Sequence, residues 1–254
     1  MDMKEVVHWL LSQNHSSLTI GLFDVWHFVY LAICIGGPAL LAVLMNKKSD
    51  AVKEKTIRLF AYLTIGVYIA DFFLMPLSDS YDGIAIHKLP FHICTLMGVM
   101  GAFVQFNPRL SAIKTPVVVM AIASSLMWMC YPGSALGGQP PFSYVIFQTF
   151  IFHGLLFCWG LLNLAWGAVT LRWREIWKEF VGVLILLVWS GFGNAVYDEQ
   201  NWFFTKQSIF PFLPDKVMPP VVVFCVFGTC FLVYCGYFAI RALINKNRKT
   251  LITA

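Results

Sequence analysis

One cysteine and one histidine of this sequence have side chains that suit acyl transfer through a thioester. Cys94 comes four residues after Pro90, and proline favours the first position of a helix. The thiol would then lie within about two turns of a helix N-terminus, whose partial positive charge favours the thiolate. His153, in a later apolar stretch, is the candidate base for the thiol proton. Asn194 or Gln148 would hydrogen-bond the oxyanion that forms during acyl transfer.

Other polar residues interrupt the apolar stretches, where an ionisable side chain costs a few kcal/mol and needs a reason. They include Asp24, His27, Asp71 and His92. His92 lies two positions before Cys94, about 200° around a helix, so it is an orienting neighbour rather than the base. We interpret Asp71 and His27 as supporting residues, and interhelical hydrogen bonding is the open alternative for them. These groups lie in the halves of the predicted helices that are nearer the outer surface of the membrane. This position predicts a site that opens toward the outer leaflet.

The elements that carry these residues are membrane spans. Of 254 residues 59% are hydrophobic and 12% are charged, which excludes a water-soluble globule, a disordered chain and a secreted disulfide scaffold. Apolar stretches of spanning length occur seven times, without the alternation of a strand. They cover 20–45, 57–77, 89–106, 113–129, 144–169, 180–196 and 217–240. The sequence therefore predicts an all-α, polytopic seven-helix bundle that forms one transmembrane domain over 1–254.

The basic residues orient this bundle. Fourteen of the 18 lysines and arginines follow the first, third, fifth and seventh stretches, and the other four are Lys4, Lys88, Lys206 and Lys216. The positive-inside rule then places the N-terminus outside and the C-terminus in the cytoplasm. The net charge of +5 has this topological explanation, so we expect no nucleic-acid partner. The outer segment 197–216 is long enough to act as a lid, and 132–141 is expected to be an outer turn.

Three sequence segments resemble those of the YwaF-type bacterial membrane proteins and of their animal relative, transmembrane protein 164. They are the run from Leu89 to Cys94, the run from Phe147 to Gly154, and Asn194 with the later run from Asn201 to Phe204. The resemblance covers most of the chain. It implies a membrane acyltransferase that acts on phospholipids and lysophospholipids in a bilayer, with Cys94 as the nucleophile, His153 as the base and no cofactor. It also implies a multi-pass protein of the bacterial plasma membrane. Trp202 departs from the family pattern, in which tyrosine is expected.

Three other functions remain open from the residues. Water in place of the acceptor alcohol would make the same site a lipid hydrolase. A zinc or iron site of His27, Asp71, His92 and His153 would use a metal-bound water, but no paired-histidine spacing supports it and we expect no metal. A transporter or receptor would use the same groups to bind a ligand or relay protons. The last stretch has no lysine between 217 and 240, which excludes a retinal Schiff base.

Overall fold

The chain folds into helices wherever the sequence is continuously apolar. The computed structural model describes residues 18–77, 86–132, 136, 139–208 and 212–253, with side chains as far as residue 246. Lys4 and parts of the predicted outer segments, including 209–211 of the lid, lie outside these ranges. The main helices of the described ranges are α1 (Val25–Leu44), α2 (Asp50–Leu74), α3 (Ile93–Phe106), α4 (Ser111–Cys130), α5 (Tyr144–Ala165), α6 (Trp177–Val196) and α7 (Met218–Thr253). The all-α class is confirmed, and no strand occurs in the part of the chain described.

Six of these helices are long and apolar enough to cross a bilayer, namely all except α3. The protein is therefore a multi-pass membrane protein. With 14 residues, α3 is about 21 Å long, whereas the hydrocarbon core of a bilayer is about 30 Å thick. The described structure thus supports six spans where the sequence predicts seven, and the remaining stretch forms a shorter apolar helix.

The two central helices are α4 and α5. In their most apolar windows 56% of α4 and 72% of α5 is buried by protein, against 22–33% in the other four long helices. On one side α5 packs against α1 and α2, and α4 contacts α3, α6 and α7. Side chains on α4 and α5 therefore face protein rather than lipid, which is where polar groups are tolerated in a membrane.

Two glycines allow the helices around the centre to approach closely. A Cβ atom at Gly160 of α5 would lie 2.6 Å from Cγ1 of Ile122 in α4. A Cβ atom at Gly98 of α3 would lie 2.9 Å from Cζ of Phe152 in α5. Both distances are too short for a larger residue, so these contacts set the relative depth of α3, α4 and α5. We call the end of the bundle where α3 and α5 begin, and where α2, α4 and α6 end, the site end.

Candidate active site

His153 is held in one orientation with one ring nitrogen available. Its Nδ1 lies 2.7 Å from the carbonyl oxygen of Thr149, one turn earlier in α5. A carbonyl oxygen only accepts hydrogen bonds, so Nδ1 carries the proton and Nε2 of the neutral ring is an acceptor. Nε2 has no hydrogen-bond partner among the described residues. The ring stacks on Trp128 of α4, with centroids 4.0 Å and planes 10° apart, which fixes the direction in which Nε2 points.

The helix α3 begins at Ile93, after His92 in extended conformation, and not at Pro90 as the sequence predicts, so Cys94 is its second residue. The first N–H groups of a helix have no acceptor within it and carry its partial positive charge. The hydroxyl of Ser124 in α4 lies close to the thiol, and it donates its own proton to the carbonyl oxygen of Ala121 at 3.3 Å. The cysteine is 9% exposed. The structure thus places this thiol in the first turn of a helix, whose partial positive charge favours the thiolate, whereas burial favours the neutral thiol, so a base is needed to take the proton.

The thiol and the imidazole face the same side of α4. Ser124, which lies close to the Cys94 thiol, and Trp128, which stacks on His153, are four positions apart and therefore lie on one helix face. The structure thus brings the two predicted catalytic side chains toward a common stripe of α4 from its two neighbours. No hydrogen bond joins them in the described part of the chain. Such bonds often tighten only when substrate is bound.

A buried ionic network lies at the site end of the bundle. Nζ of Lys88 is 2.8 Å from Oδ2 of Asp71 and 3.2 Å from Oε1 of Gln148. Asp71, fully buried in α2, also accepts a hydrogen bond of 2.9 Å from the hydroxyl of Tyr144. The lysine therefore compensates a carboxylate that would be costly to bury alone. The network ties α2 and the segment before α3 to the first turns of α5.

Gln148 lies at the depth of Cys94. Gly98 and Phe152 are in contact, and α3 and α5 begin at the same end of the bundle. One turn back toward that end is four residues in each helix, about 6 Å along its axis. This step leads from Gly98 to Cys94 and from Phe152 to Gln148. The predicted oxyanion donor and the predicted nucleophile are therefore at the same level on neighbouring helices.

The amide nitrogen of Gln148 is free for a ligand. Oε1 accepts hydrogen bonds from Lys88 Nζ and, at 3.0 Å, from the Thr149 hydroxyl. Nε2 has no acceptor among the described residues, and the side chain is 5% exposed. This unused donor is therefore available to a group that accepts a hydrogen bond when the site is filled.

Asn194, the alternative oxyanion donor, is fully engaged elsewhere. Its Nδ2 donates to the carbonyl oxygen of Trp202 at 2.9 Å and to the hydroxyl of Thr205 at 2.6 Å. Its Oδ1 accepts the backbone N–H of Trp202 at 2.8 Å. An amide with these bonds has no strong donor left for a substrate. The sequence left Asn194 and Gln148 open as oxyanion donors. In the structure Asn194 holds the turn that follows α6.

His92 belongs to the structural frame of the site. Its Nδ1 accepts the backbone N–H of Phe203 at 3.3 Å, and its ring lies 5.6 Å from that of Phe204. Phe203 and Phe204 have φ angles of 56° and 51°, a left-handed conformation that is unusual for bulky residues. The turn held by Asn194 therefore packs on the residue directly before α3. This contact helps to fix the backbone that leads into α3, and the orienting role of His92 at Cys94 stays a prediction.

The segment that leads into Cys94 is fixed through its backbone. The indole N–H of Trp189 donates to the carbonyl oxygen of Pro90 at 2.7 Å, and the Ser190 hydroxyl donates to that of Phe91. The indole N–H of Trp202 donates to the carbonyl oxygen of His87 at 3.0 Å. Burial and the nearby Lys88 charge lower the pKa of His87 to about 4, so its ring is neutral at pH 7. The start of α3 is thus held by α6 and by the turn that follows it.

His27 and Asp24 are anchors of α1 and do not reach the site. Asp24 caps the helix, and its carboxylate accepts the N–H groups of His27 and Gly21 at 2.8 and 2.6 Å. The ring of His27 donates from Nε2 to the carbonyl oxygen of Met129 at 2.8 Å, and its Nδ1 accepts the N–H of Phe23 at 3.0 Å. Both ring nitrogens are therefore used. For His27 the interhelical alternative describes the structure better than a supporting role at the site.

The residues proposed for a metal site do not converge. Both nitrogens of His27 are engaged by backbone groups, and Nδ1 of His153 is engaged by Thr149. Asp71 is paired with Lys88. Within the described ranges no group of three or more His, Cys, Asp and Glu side chains is arranged to hold a metal ion. Three of the four side chains that the sequence suggested as metal ligands are thus engaged in other contacts.

Sequence reasoning did not assign site roles to four residues, namely Lys88, Ser124, Trp128 and Tyr144. Lys88 had a usable signal, because it is one of few basic residues on the predicted outer side and the neighbouring span contains an unpaired Asp71. The other three had none. Serine, tryptophan and tyrosine are ordinary in membrane helices, and their partners come from helices distant in sequence.

One known protein family matches most of the chain. The model of the TMEM164 family matches residues 22–239, which include all seven helices up to the middle of α7. The chain shows no significant similarity to a curated protein or to a solved structure. Since the match spans far more than half of the sequence, this chain belongs to the TMEM164 family.

Proposed function

We propose that this protein is a membrane acyltransferase that moves fatty acyl groups between phospholipids through a thioester on Cys94. One observation carries the proposal. His153 is fixed with Nε2 as its acceptor nitrogen, against the same stripe of α4 that the Cys94 thiol faces. A thiol at a helix N-terminus with a neutral imidazole nearby has the parts needed for nucleophilic acyl chemistry. The resemblance to the YwaF-type and acyltransferase proteins supports the same function.

The site opens to the outer leaflet in this proposal. The basic clusters at 47–58, 109–114 and 172–178 lie at the end of the bundle opposite the site end. By the positive-inside rule that end is cytoplasmic, the N-terminus is outside and α3 acts as a seventh, short span. In a bacterial plasma membrane Cys94 would then lie near the ester groups of outer-leaflet phospholipids, at the boundary between hydrocarbon and head groups.

The first half of the reaction forms the thioester. Nε2 of His153 takes the proton of the Cys94 thiol, and the sulfur forms a bond to the ester carbonyl carbon of the donor. The negative charge on the former carbonyl oxygen accepts a hydrogen bond from Nε2 of Gln148. The carbon–oxygen ester bond then breaks, and the proton on His153 passes to the leaving lysophospholipid oxygen.

The second half transfers the acyl group. Nε2 of His153 takes the proton of an acceptor hydroxyl on a lysophospholipid, and that oxygen attacks the thioester carbonyl carbon. The carbon–sulfur bond breaks, and the sulfur leaves as thiolate and regains the proton from His153. The protein returns to its starting state with one ester formed for each ester cleaved.

The surroundings of His153 favour an alcohol over water as the acceptor. The ring is enclosed by Trp128, with which it stacks, and by Phe152, at a centroid distance of 5.3 Å. Phe150 packs edge-on against the same Trp128. Apolar rings at the base reduce access of bulk water. If water did reach the thioester, the protein would be a lipid hydrolase, and free fatty acid would replace the new phospholipid as the product.

Intact-protein mass spectrometry tests the proposal. The purified protein is incubated with phosphatidylcholine vesicles, and its mass is expected to rise by one acyl group on Cys94. Cys94→Ala should show no adduct, whereas Cys130→Ala, which removes an exposed cysteine at the end of α4, should be acylated like the wild type. The proposal is wrong if Cys94→Ala is acylated as strongly as the wild type, or if vesicles of several phospholipid classes leave the wild type unmodified. Uptake of a solute by Cys94→Ala proteoliposomes at the wild-type rate would favour a transporter.

A further inference from the structure

We infer that Lys88, held by Asp71, is a positioning residue that turns the amide of Gln148 so that its N–H group faces the oxyanion at Cys94. This inference rests on the proposed function. It assigns the buried ion pair a role in the rate of acylation that goes beyond joining α2 to α5.

The argument begins with the symmetry of an amide. The oxygen and nitrogen of Gln148 have nearly the same size, so packing alone distinguishes the two orientations poorly. A neighbour that only donates hydrogen bonds selects the orientation in which it faces the oxygen. Lys88 is such a neighbour, because an ammonium group has three donors and no acceptor. Its Nζ lies 3.2 Å from Oε1.

The second neighbour of Gln148 does not select an orientation. The Thr149 hydroxyl lies 3.0 Å from Oε1, but it is also 2.6 Å from the carbonyl oxygen of Val145. A hydroxyl has one proton. When that proton is directed to the closer Val145 carbonyl, the Thr149 oxygen can accept a hydrogen bond from a turned amide. Lys88 alone therefore excludes the turned orientation.

Lys88 itself is fixed by its surroundings. Asp71 is fully buried, lies 2.8 Å from the ammonium group, and is in turn bonded by Tyr144. The hydroxyl of Tyr68 donates to the backbone carbonyl of Lys88 at 2.8 Å. The long, flexible lysine is thus held at both its backbone and its charged end. Such support from outside the reacting groups is what keeps a catalytic donor aligned.

The effect on the reaction depends on the direction of Nε2 of Gln148. With Oε1 toward Lys88, the free N–H groups of Gln148 are directed away from the ion pair, at the depth of Cys94. A turned amide would present an oxygen to the developing negative charge. Losing one oxyanion donor typically lowers kcat by about 10²–10³-fold. We expect Lys88→Met, which keeps the length of the chain but has no donor, to lower acylation by a similar factor.

The experiment compares two reactions of the same sulfur. Acylation is followed as the burst of nitrophenolate from p-nitrophenyl decanoate, and alkylation as the rate at which iodoacetamide modifies the Cys94 peptide. Alkylation displaces iodide at a saturated carbon and forms no oxyanion. Lys88→Met should therefore lower the acylation rate constant by about 10²-fold, with little change in the half-saturating ester concentration and none in alkylation.

A double variant supplies the control. Once Gln148→Ala has removed the amide, Lys88→Met should cause no further loss of acylation, because the two residues act as one unit. Lys88→Arg, which keeps a cationic donor, should recover part of the rate. Equal acylation of wild type and Lys88→Met, a parallel fall in alkylation, or additive losses in the double variant would each overturn this inference. None of these three results would contradict the proposed function. If iodoacetamide modifies Cys94 in the wild type but neither the ester nor phospholipid acylates it, the proposed function fails and the inference fails with it.

Discussion

The histidines at positions 27 and 153 are the same side chain in two different hydrogen-bonding environments. Both rings are buried, 0% and 5% exposed, and both lie toward the site end of the bundle. The ring of Phe150 lies 6.0 Å from His27 and 5.1 Å from Trp128, on which His153 stacks. The two regions are thus separated by little more than one aromatic layer. Burial and position do not distinguish them.

The hydrogen bonds do distinguish them. The ring of His27 uses both nitrogens on backbone groups, one of them the carbonyl oxygen of Met129 at the end of α4. The ring of His153 uses Nδ1 alone. A fully bonded imidazole can only hold helices together, whereas one with an available acceptor can take a proton. A structural role and a catalytic role of a buried histidine in a membrane can therefore be told apart only when the hydrogen bonds of both ring nitrogens are known.

The largest expected effect comes from removing the available nitrogen. His153→Ala should lower acylation of Cys94 by about 10²–10⁴-fold, the usual contribution of a general base. The protein should still insert and purify normally, because the hydrogen bond of the His153 ring is to Thr149 of the same helix. Burst kinetics with an activated ester measure the loss. Retention of full activity would remove His153 from the mechanism and end the contrast with His27.

The reverse pattern is expected for His27→Ala. Its loss leaves the carbonyl oxygen of Met129 without its partner, which costs about 1–3 kcal/mol for a buried group. We expect a lower melting temperature in detergent, while Cys94 in the folded fraction is acylated at nearly the wild-type rate. A fall in acylation as large as that of His153→Ala, without a change in melting temperature, would show that His27 takes part in the reaction.

A smaller effect is expected for Trp128→Leu. The stacked ring holds His153 in place, and aromatic pairs contribute about 0.5–1.5 kcal/mol beyond their burial. If that energy is used to align Nε2, the rate of acylation should fall by up to about tenfold. Trp128→Phe, which retains an aromatic face, should lose less. Equal rates for the leucine and phenylalanine variants would show that stacking does not align the base.

Hydropathy alone predicts most of the helices of this fold, but not the start of each one. The all-α class and the positions of six spans follow from stretches of apolar residues, and the structure confirms them. The stretch 89–106 has the composition of a span, but its helix begins only at Ile93. The preceding backbone is instead bonded by α6 and the following turn, through Trp189 and Trp202. Such contacts shorten a helix without changing its composition.

The site residues divide in the same way. Cys94, His153 and Gln148 were identifiable as polar or reactive groups in apolar stretches. The ion pair of Lys88 with Asp71 was not predicted, although each residue was conspicuous by itself. From the sequence Asn194 and Gln148 are equivalent, because both are amides within apolar stretches. Their difference depends on Trp202 and Thr205 in one case and Lys88 in the other.

The sequence by itself determined that this protein lies in a lipid bilayer, that it is helical, and which few residues are able to do chemistry. These are local properties, because the cost of placing each residue in a bilayer depends mainly on its own side chain. Only the tertiary structure decided which polar groups remain available. A donor or acceptor is used or free according to its partner, and in this bundle the partner usually comes from another helix, as Met129 does for His27 and Lys88 for Gln148.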